Sequence, residues 1–221
     1  MNNLSSIQEF FMCVVNENGK TNTLPLSTPH TTITLCLVVG GIRELSQQGF
    51  VAYKGDELIT VNPLSAAFSY LKPLYDDINC GILRKSMESV SESFYNEYTT
   101  KHLDKLLLVI GESLMKKGYA DVLPSQGFLS KKVKYAPKAE VVASIIEKIR
   151  VEFLGNDEIS ENTLSLAAML DKNGVIECYF NQGEMAFFHK RIEEVRRSGK
   201  YALLKDIRKF YDSLDEWWII G

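Results

Sequence analysis

The chain has 221 residues, 45% of them hydrophobic and 24% charged, with a formal net charge of −3. That balance gives a globular chain enough apolar material for a core, and it excludes a protein that coats nucleic acid along its length, which needs many Lys and Arg contacts to phosphate. No uncharged apolar run approaches the roughly 20 residues that span a bilayer, and Met1 to Ser6 lack the basic start and long apolar run of a signal peptide, so a cytoplasmic location is expected.

In chain order, Leu4, Ile7, Phe11 and Val14 form the core side of a first helix, which Ser5 or Ser6 caps and Asn16 to Gly19 ends. Residues 20–29 are polar and rich in Ser and Thr, hence a loop. A second helix is expected from Thr34 to Gln48, with Leu35, Val38, Val39, Ile42 and Leu45 on one face and Gly49 closing it. Phe50 to Tyr53 and Leu58 to Val61 read as strands around a turn with Gly55 and Asp56 at its centre. Pro63 to Tyr98 carries scattered apolar positions, Phe68, Leu71, Leu74, Ile78 and Leu83, and reads as helical pieces with loose connections.

Leu103, Leu106, Leu107, Ile110 and Leu114 then fall at i, i+3, i+4, i+7 and i+11, one apolar stripe on a helix. Lys116 and Lys117 suit the negative end of its dipole, and Gly118 suits a left-handed cap. Tyr119 to Leu123 and Phe128 to Tyr135 read as strands flanking the turn Pro124-Ser125-Gln126-Gly127. The tip of this hairpin is apolar, with Leu123, Phe128 and Leu129, while Lys131, Lys132 and Lys134 crowd the return strand. An apolar tip beside cations suits the boundary between water and an anionic membrane; the same residues also suit packing on a neighbouring helix and charged protection of a sheet edge.

After Pro137, Val142, Ile145, Ile146, Ile149 and Phe153 form a stripe that ends at Gly155. Leu164 to Leu170 is a more continuously apolar, buried helix closed by Asn173 and Gly174. Two last helices carry Met185, Phe188, Ile192 and Val195, then Leu203, Ile207, Phe210 and Leu214. The expected fold is therefore mainly α, a compact helical single domain over residues 1–221 with two β-hairpins. Helix, Gly, strand, turn, strand occurs twice: Glu44 to Val51 lies in register with Ser113 to Ala120, matching Leu45 with Leu114, Gly49 with Gly118 and Phe50 with Tyr119.

No catalytic constellation is found, and no cofactor is expected. His30, His102 and His189 have no partner at metal-ligand spacing, and Gly40-Gly41 lies inside a helical pattern rather than after a strand. Asp76-Asp77 reads as a solvated pair on a loop, and Trp217-Trp218 as a packing anchor. Cys13, Cys36, Cys80 and Cys178 are far apart with no Cys-x-x-Cys pair, and read as reduced, buried thiols.

Leu4 to Phe11 ahead of Asn16 to Gly19, Glu44-Leu45 with Gly49, Ser113 to Gly118, and Asn162 to Leu170 resemble, in that order, the Golgi phosphoprotein 3-like family. The resemblance spans most of the chain and implies a compact, mostly helical domain without enzymatic activity. Eukaryotic members are peripheral membrane proteins that bind phosphatidylinositol 4-phosphate and retain glycosyltransferases in the Golgi. A bacterial member is expected here, because no disordered leader precedes the first helix. The family sets an apolar-tipped hairpin against the membrane and uses it in self-association. The resemblance thus implies an anionic phospholipid surface as partner for Leu123, Phe128, Leu129, Lys131, Lys132 and Lys134. It further implies a homo-oligomer through the 119–135 hairpin and a membrane-enzyme client. The Trp and three Arg that form the eukaryotic headgroup site fall at Pro29, Val38, Asp104 and Leu107, so anionic surfaces in general are expected over one headgroup.

A second reading belongs to another class. Thr34 to Val61 also has the order of a winged-helix DNA-binding regulator, although Arg43 is the only cation between Thr31 and Gly49 to attract phosphate, and Glu44 stands beside it.

Overall fold

The computed structural model describes residues 4–15, 30–80, 85–95, 101–123, 133–155 and 158–197. The expected helix at Leu203 to Leu214 and the pair Trp217-Trp218 lie outside the described residues.

Helix α1 (Ser6–Val14) opens on a capping box, in which the Ser5 hydroxyl accepts from the Gln8 N–H and the Gln8 side chain accepts from the Ser5 N–H. All its residues from Ile7 to Val14 are buried, including Gln8 and Glu9, so it is a central strut rather than a helix with one core face. Helix α2 (His30–Gln47) begins four residues earlier than Thr34. Thr32, Ile33 and Thr34 are all buried, and tertiary burial outweighs the modest helix propensity of threonine. Between Thr32 and Leu45 only Gly40 is less than buried, which makes α2 the second central element.

Strands β1 (Val51–Lys54) and β2 (Glu57–Thr60) form an antiparallel hairpin closed by Lys54 opposite Glu57. A third strand, β3 (Lys85–Ser86), adds to β2; two polar residues carry no alternation by which a sequence could announce it. A 3-10 turn over Ala66–Leu71, α3 (Lys72–Asn79) and α4 (Met87–Tyr95) account for the loose helical pieces. Asp76 and Asp77 lie on α3, not on a loop, where Asp76 pairs with Lys72 at 2.7 Å and Asp77 with Lys85 at 3.4 Å. Then follow α5 (Lys101–Lys116), the hairpin β4 (Ala120–Leu123) and β5 (Lys134–Pro137), α6 (Ala139–Leu154), α7 (Glu161–Lys172), a second 3-10 turn at Val175–Cys178 and α8 (Gln182–Arg197).

The architecture is mainly helical with two small antiparallel sheets, as the sequence pattern implies. Helix α1 packs on α7, α2 and α6, while α2 also packs on α4 and α3. Their apolar side chains join into one core that runs from Ile7 to Ile192, with Phe10, Phe94, Phe153 and Phe188 fully enclosed. Two expected stripes are turned slightly: Leu103 and Leu107 are half-buried while Leu106, Ile110 and Leu114 are enclosed, and in α6 it is Val141 that is buried and Val142 that is half-exposed.

The internal repeat is present in backbone detail. At the end of α2 the Gly49 N–H donates to the Ser46 carbonyl at 3.0 Å and the Phe50 N–H to the Leu45 carbonyl at 2.9 Å. At the end of α5 the Gly118 N–H donates to Met115 at 2.9 Å and the Tyr119 N–H to Leu114 at 2.9 Å. Both are Schellman caps, and the two glycines sit at φ of +74° and +77°. The returning chain closes each unit alike: the Val61 N–H donates to Phe50 at 2.9 Å and the Lys138 N–H to Tyr119 at 3.0 Å.

The cysteines divide, correcting the expectation of four buried thiols. Cys13 and Cys36 are buried, whereas Cys80 and Cys178 are exposed, because the first ends α3 at the surface and the second ends a surface 3-10 turn. Burial pushes the Cys36 thiol up to about 12 despite the amide of Asn173, which donates to its Sγ at 3.2 Å.

Candidate functional site

The second hairpin grows directly out of the capped end of α5. Strand β4 pairs with β5 so that Ala120 faces Pro137, Asp121 faces Ala136, Val122 faces Tyr135 and Leu123 faces Lys134. Directly opposed residues share a face. The face holding Ala120 and Tyr135 turns to α5, where the Tyr135 ring lies on Gly111. A Cβ on Gly111 would stand 2.1 Å from the Tyr135 ring, so only glycine allows this approach. Burial, and after it the Glu112 carboxylate, raises the Tyr135 phenol above its usual range. Cap, close contact and strand pairing together fix the direction in which the hairpin leaves the body.

Of the six residues singled out from sequence, the structure brings two together. Leu123, half-buried, is directly opposite the exposed Lys134. Phe128, Leu129, Lys131 and Lys132 lie outside the described residues. Two apolar residues of the same hairpin were missed by sequence reasoning: Val122 is 51% exposed and Val133 46% exposed. Their signal was a β-branched residue on either side of the Leu123–Lys134 pair, hidden because valine in a strand ordinarily reads as core.

Beneath the hairpin lies a buried polar junction that the sequence did not announce. Gln8, fully enclosed, donates through Nε2 to the Ser113 hydroxyl at 2.8 Å and accepts at Oε1 from Lys117 Nζ at 3.0 Å. Nearby, the Tyr70 hydroxyl donates to Glu44 Oε1. Glu44 Oε2 is buried and has no hydrogen-bond partner among the described residues. Burial is the chief cause that raises the Glu44 carboxyl above the ordinary range, opposed by the Tyr70 and Ser5 hydroxyls and by Lys117 and Arg43. Burial in turn lowers the Lys117 ammonium, while Glu44 works against that. A sequence signal did exist, since Ser5 and Gln8 have the spacing of a capping box and Glu44 interrupts an apolar helix.

A separate ion pair supports α1 from the other side, where Lys148 of α6 contacts Glu9 at 3.3 Å and burial raises the Glu9 carboxyl. Among the described residues, no three His, Cys, Asp or Glu side chains gather as metal ligands would. His189 pairs with Asp171 at 3.1 Å on the surface, and His102 meets the edge of Phe94. No protein-family model matches the chain, and no curated protein matches it significantly.

Proposed function

We propose that this chain is a peripheral membrane adaptor of the Golgi phosphoprotein 3-like kind, without enzymatic activity, that attaches to anionic phospholipid surfaces through its second hairpin. The observation that carries the reading is the anchored stem, held by the Tyr135–Gly111 contact and the Gly118 cap, which presents exposed Val122 and Val133 on the face of Tyr135 and exposed Lys134 on the other. Apolar side chains of that kind enter the headgroup boundary while lysines meet the lipid phosphates, each worth about 1 kcal/mol near an anionic surface. Among the described residues no helix is long and apolar enough to cross a membrane, so attachment by this hairpin is peripheral. The same hairpin is the surface for self-association, and a membrane enzyme is the client class.

The proposed ligand is a charged surface rather than phosphatidylinositol 4-phosphate alone. Val38, which stands at one of the headgroup positions, is fully enclosed in α2, and Asp104 and Leu107 lack the guanidinium fork that grips phosphate. The winged-helix reading has less support. A recognition helix needs a face free for the major groove, and α2 is buried almost throughout.

Flotation with neutral, anionic and phosphoinositide-containing vesicles tests the proposal. Binding is expected on anionic vesicles, none on neutral ones, and phosphoinositide is expected to add little at equal surface charge. Absence of binding to every vesicle, with tight and steeply salt-dependent duplex DNA binding, would transfer the assignment to the DNA-binding reading.

A further inference from the structure

The two helix–hairpin units meet at the first turn of α1, and they do so through equivalent positions. In the register that matches Gly49 with Gly118, Glu44 corresponds to Ser113. Ser113 is bound by Gln8 at 2.8 Å, and the Ser5 hydroxyl is among the groups that favour the ionised Glu44 carboxyl. Ser5 and Gln8 are the two halves of the α1 capping box, so one small element holds both units. Lys117, just past the end of α5, completes the junction by donating to Gln8 Oε1 at 3.0 Å, and its charge acts on the Glu44 carboxyl.

We propose that Glu44 is a proton-linked contact between the two units, and that gain or loss of its proton is transmitted through Lys117 and the Ser5–Gln8–Ser113 bonds to the base of the β4–β5 hairpin. Glu44 is 8% exposed, and Oε2 is buried without a hydrogen-bond partner among the described residues, so an ionised carboxylate there is under-solvated. A mobile compensation is the Lys117 ammonium, which donates to the Gln8 amide and whose charge acts on Glu44. Moving that ammonium toward Glu44 removes a bond from Gln8 and shifts the last turn of α5, from which Gly118 and Tyr119 lead into β4. The proposal concerns the protein alone and holds whether or not the hairpin meets a membrane.

Other charges near the junction are engaged elsewhere. Arg43, on Glu44's own helix, pairs with Glu161 of α7, and Glu9 of α1 pairs with Lys148. On α3, Lys72 pairs with Asp76, and Asp77 pairs with Lys85 of β3. Lys54 of β1 and Glu92 of α4 are exposed to solvent. Among the described residues, Tyr70, from the 3-10 turn, and Lys117 are the titratable groups outside α2 that act on the Glu44 carboxyl. The sign follows from burial: the folded protein keeps this proton to higher pH than the unfolded chain does. The junction is therefore tightest at low pH and loosens as pH rises through the folded-state midpoint of Glu44.

A pH titration followed by NMR tests this, with the Glu44 side-chain carboxyl carbon and the backbone amides of Gly118 and Tyr119 as probes. The carboxyl carbon is expected to titrate above the ordinary glutamate value of 4.5, and both amides to move with the same midpoint. Glu44→Gln should flatten the amide curves. Lys117→Met, at an exposed position that leaves the core intact, should raise the carboxyl midpoint and shrink the amide response, and it serves as the test even if Glu44→Gln does not fold. Amides that stay flat in the wild type, amides that titrate unchanged in Glu44→Gln, or a midpoint unmoved in Lys117→Met would each overturn the proposal.

Discussion

Tyr135 and Gly111 make one contact from two distant places in the sequence, and neither residue type alone reveals it. A glycine inside a helix costs about 1 kcal/mol relative to alanine, so its presence in the middle of α5 has a reason, which is the tyrosine ring pressed against the backbone. The core positions were easier to read. Ile145 and Ile149 were placed inside from their spacing and Leu166 from a continuously apolar run, and they are 2%, 0% and 0% exposed. Replacing any one with Ala is expected to cost about 2 to 5 kcal/mol, because the cavity left behind adds to the lost burial. Chemical denaturation midpoints measure this, and values near wild type for all three would mean that the side chains around α6 and α7 collapse to fill the space. Val141 and Val142 show where such reading reaches its resolution: two adjacent valines both fit an apolar stripe, and a small rotation of α6 decides which is enclosed.

Each helix–hairpin unit depends on a cap whose glycine cannot be exchanged without strain. A side chain at Gly118 would meet nothing within 4 Å, and at Gly49 only the Asn62 amide at 4.0 Å, so space is not the issue. The positive φ is the issue, and Ala there should cost about 1 to 2 kcal/mol. We expect Gly49→Ala and Gly118→Ala to destabilise thermal unfolding by similar amounts, since their hydrogen bonds are the same; a large effect at one and none at the other would show the two caps to be unequal in energy. These caps were legible because Gly after a cationic or polar last turn is a physical requirement written in sequence. Strand β3 was not legible, because its two residues gain their strand conformation only from the partner they meet in β2. The Glu44 junction was hidden for a similar reason. Its members come from α1, α2, a 3-10 turn and α5, and only the packing of those elements makes a polar cluster of them.

At the scale of the whole molecule, the helical body holds the stem of a hairpin whose anchoring the sequence pattern did not reveal. The apolar and cationic residues of 123–134 are read from sequence alone, whereas it took the packing to show that Tyr135 locks the stem to α5 and that Val122 and Val133 are exposed. If the hairpin is the membrane contact, its two kinds of side chain must fail differently when changed. Replacing Lys131, Lys132 and Lys134 with Glu removes about 1 kcal/mol of attraction per lysine and adds repulsion, so flotation with anionic vesicles should be nearly abolished at low salt. Raising the salt should narrow the difference from wild type, because screening shortens the reach of surface charges to about 8 Å at physiological ionic strength. Phe128→Ser removes an apolar contribution of roughly 1.5 to 3 kcal/mol if the ring is fully buried in the lipid, and salt does not screen that term. Its deficit should therefore persist at high salt, where the lysine deficit fades. Flotation measured across a salt series separates the two terms, and unchanged binding in both variants would remove the hairpin from membrane attachment.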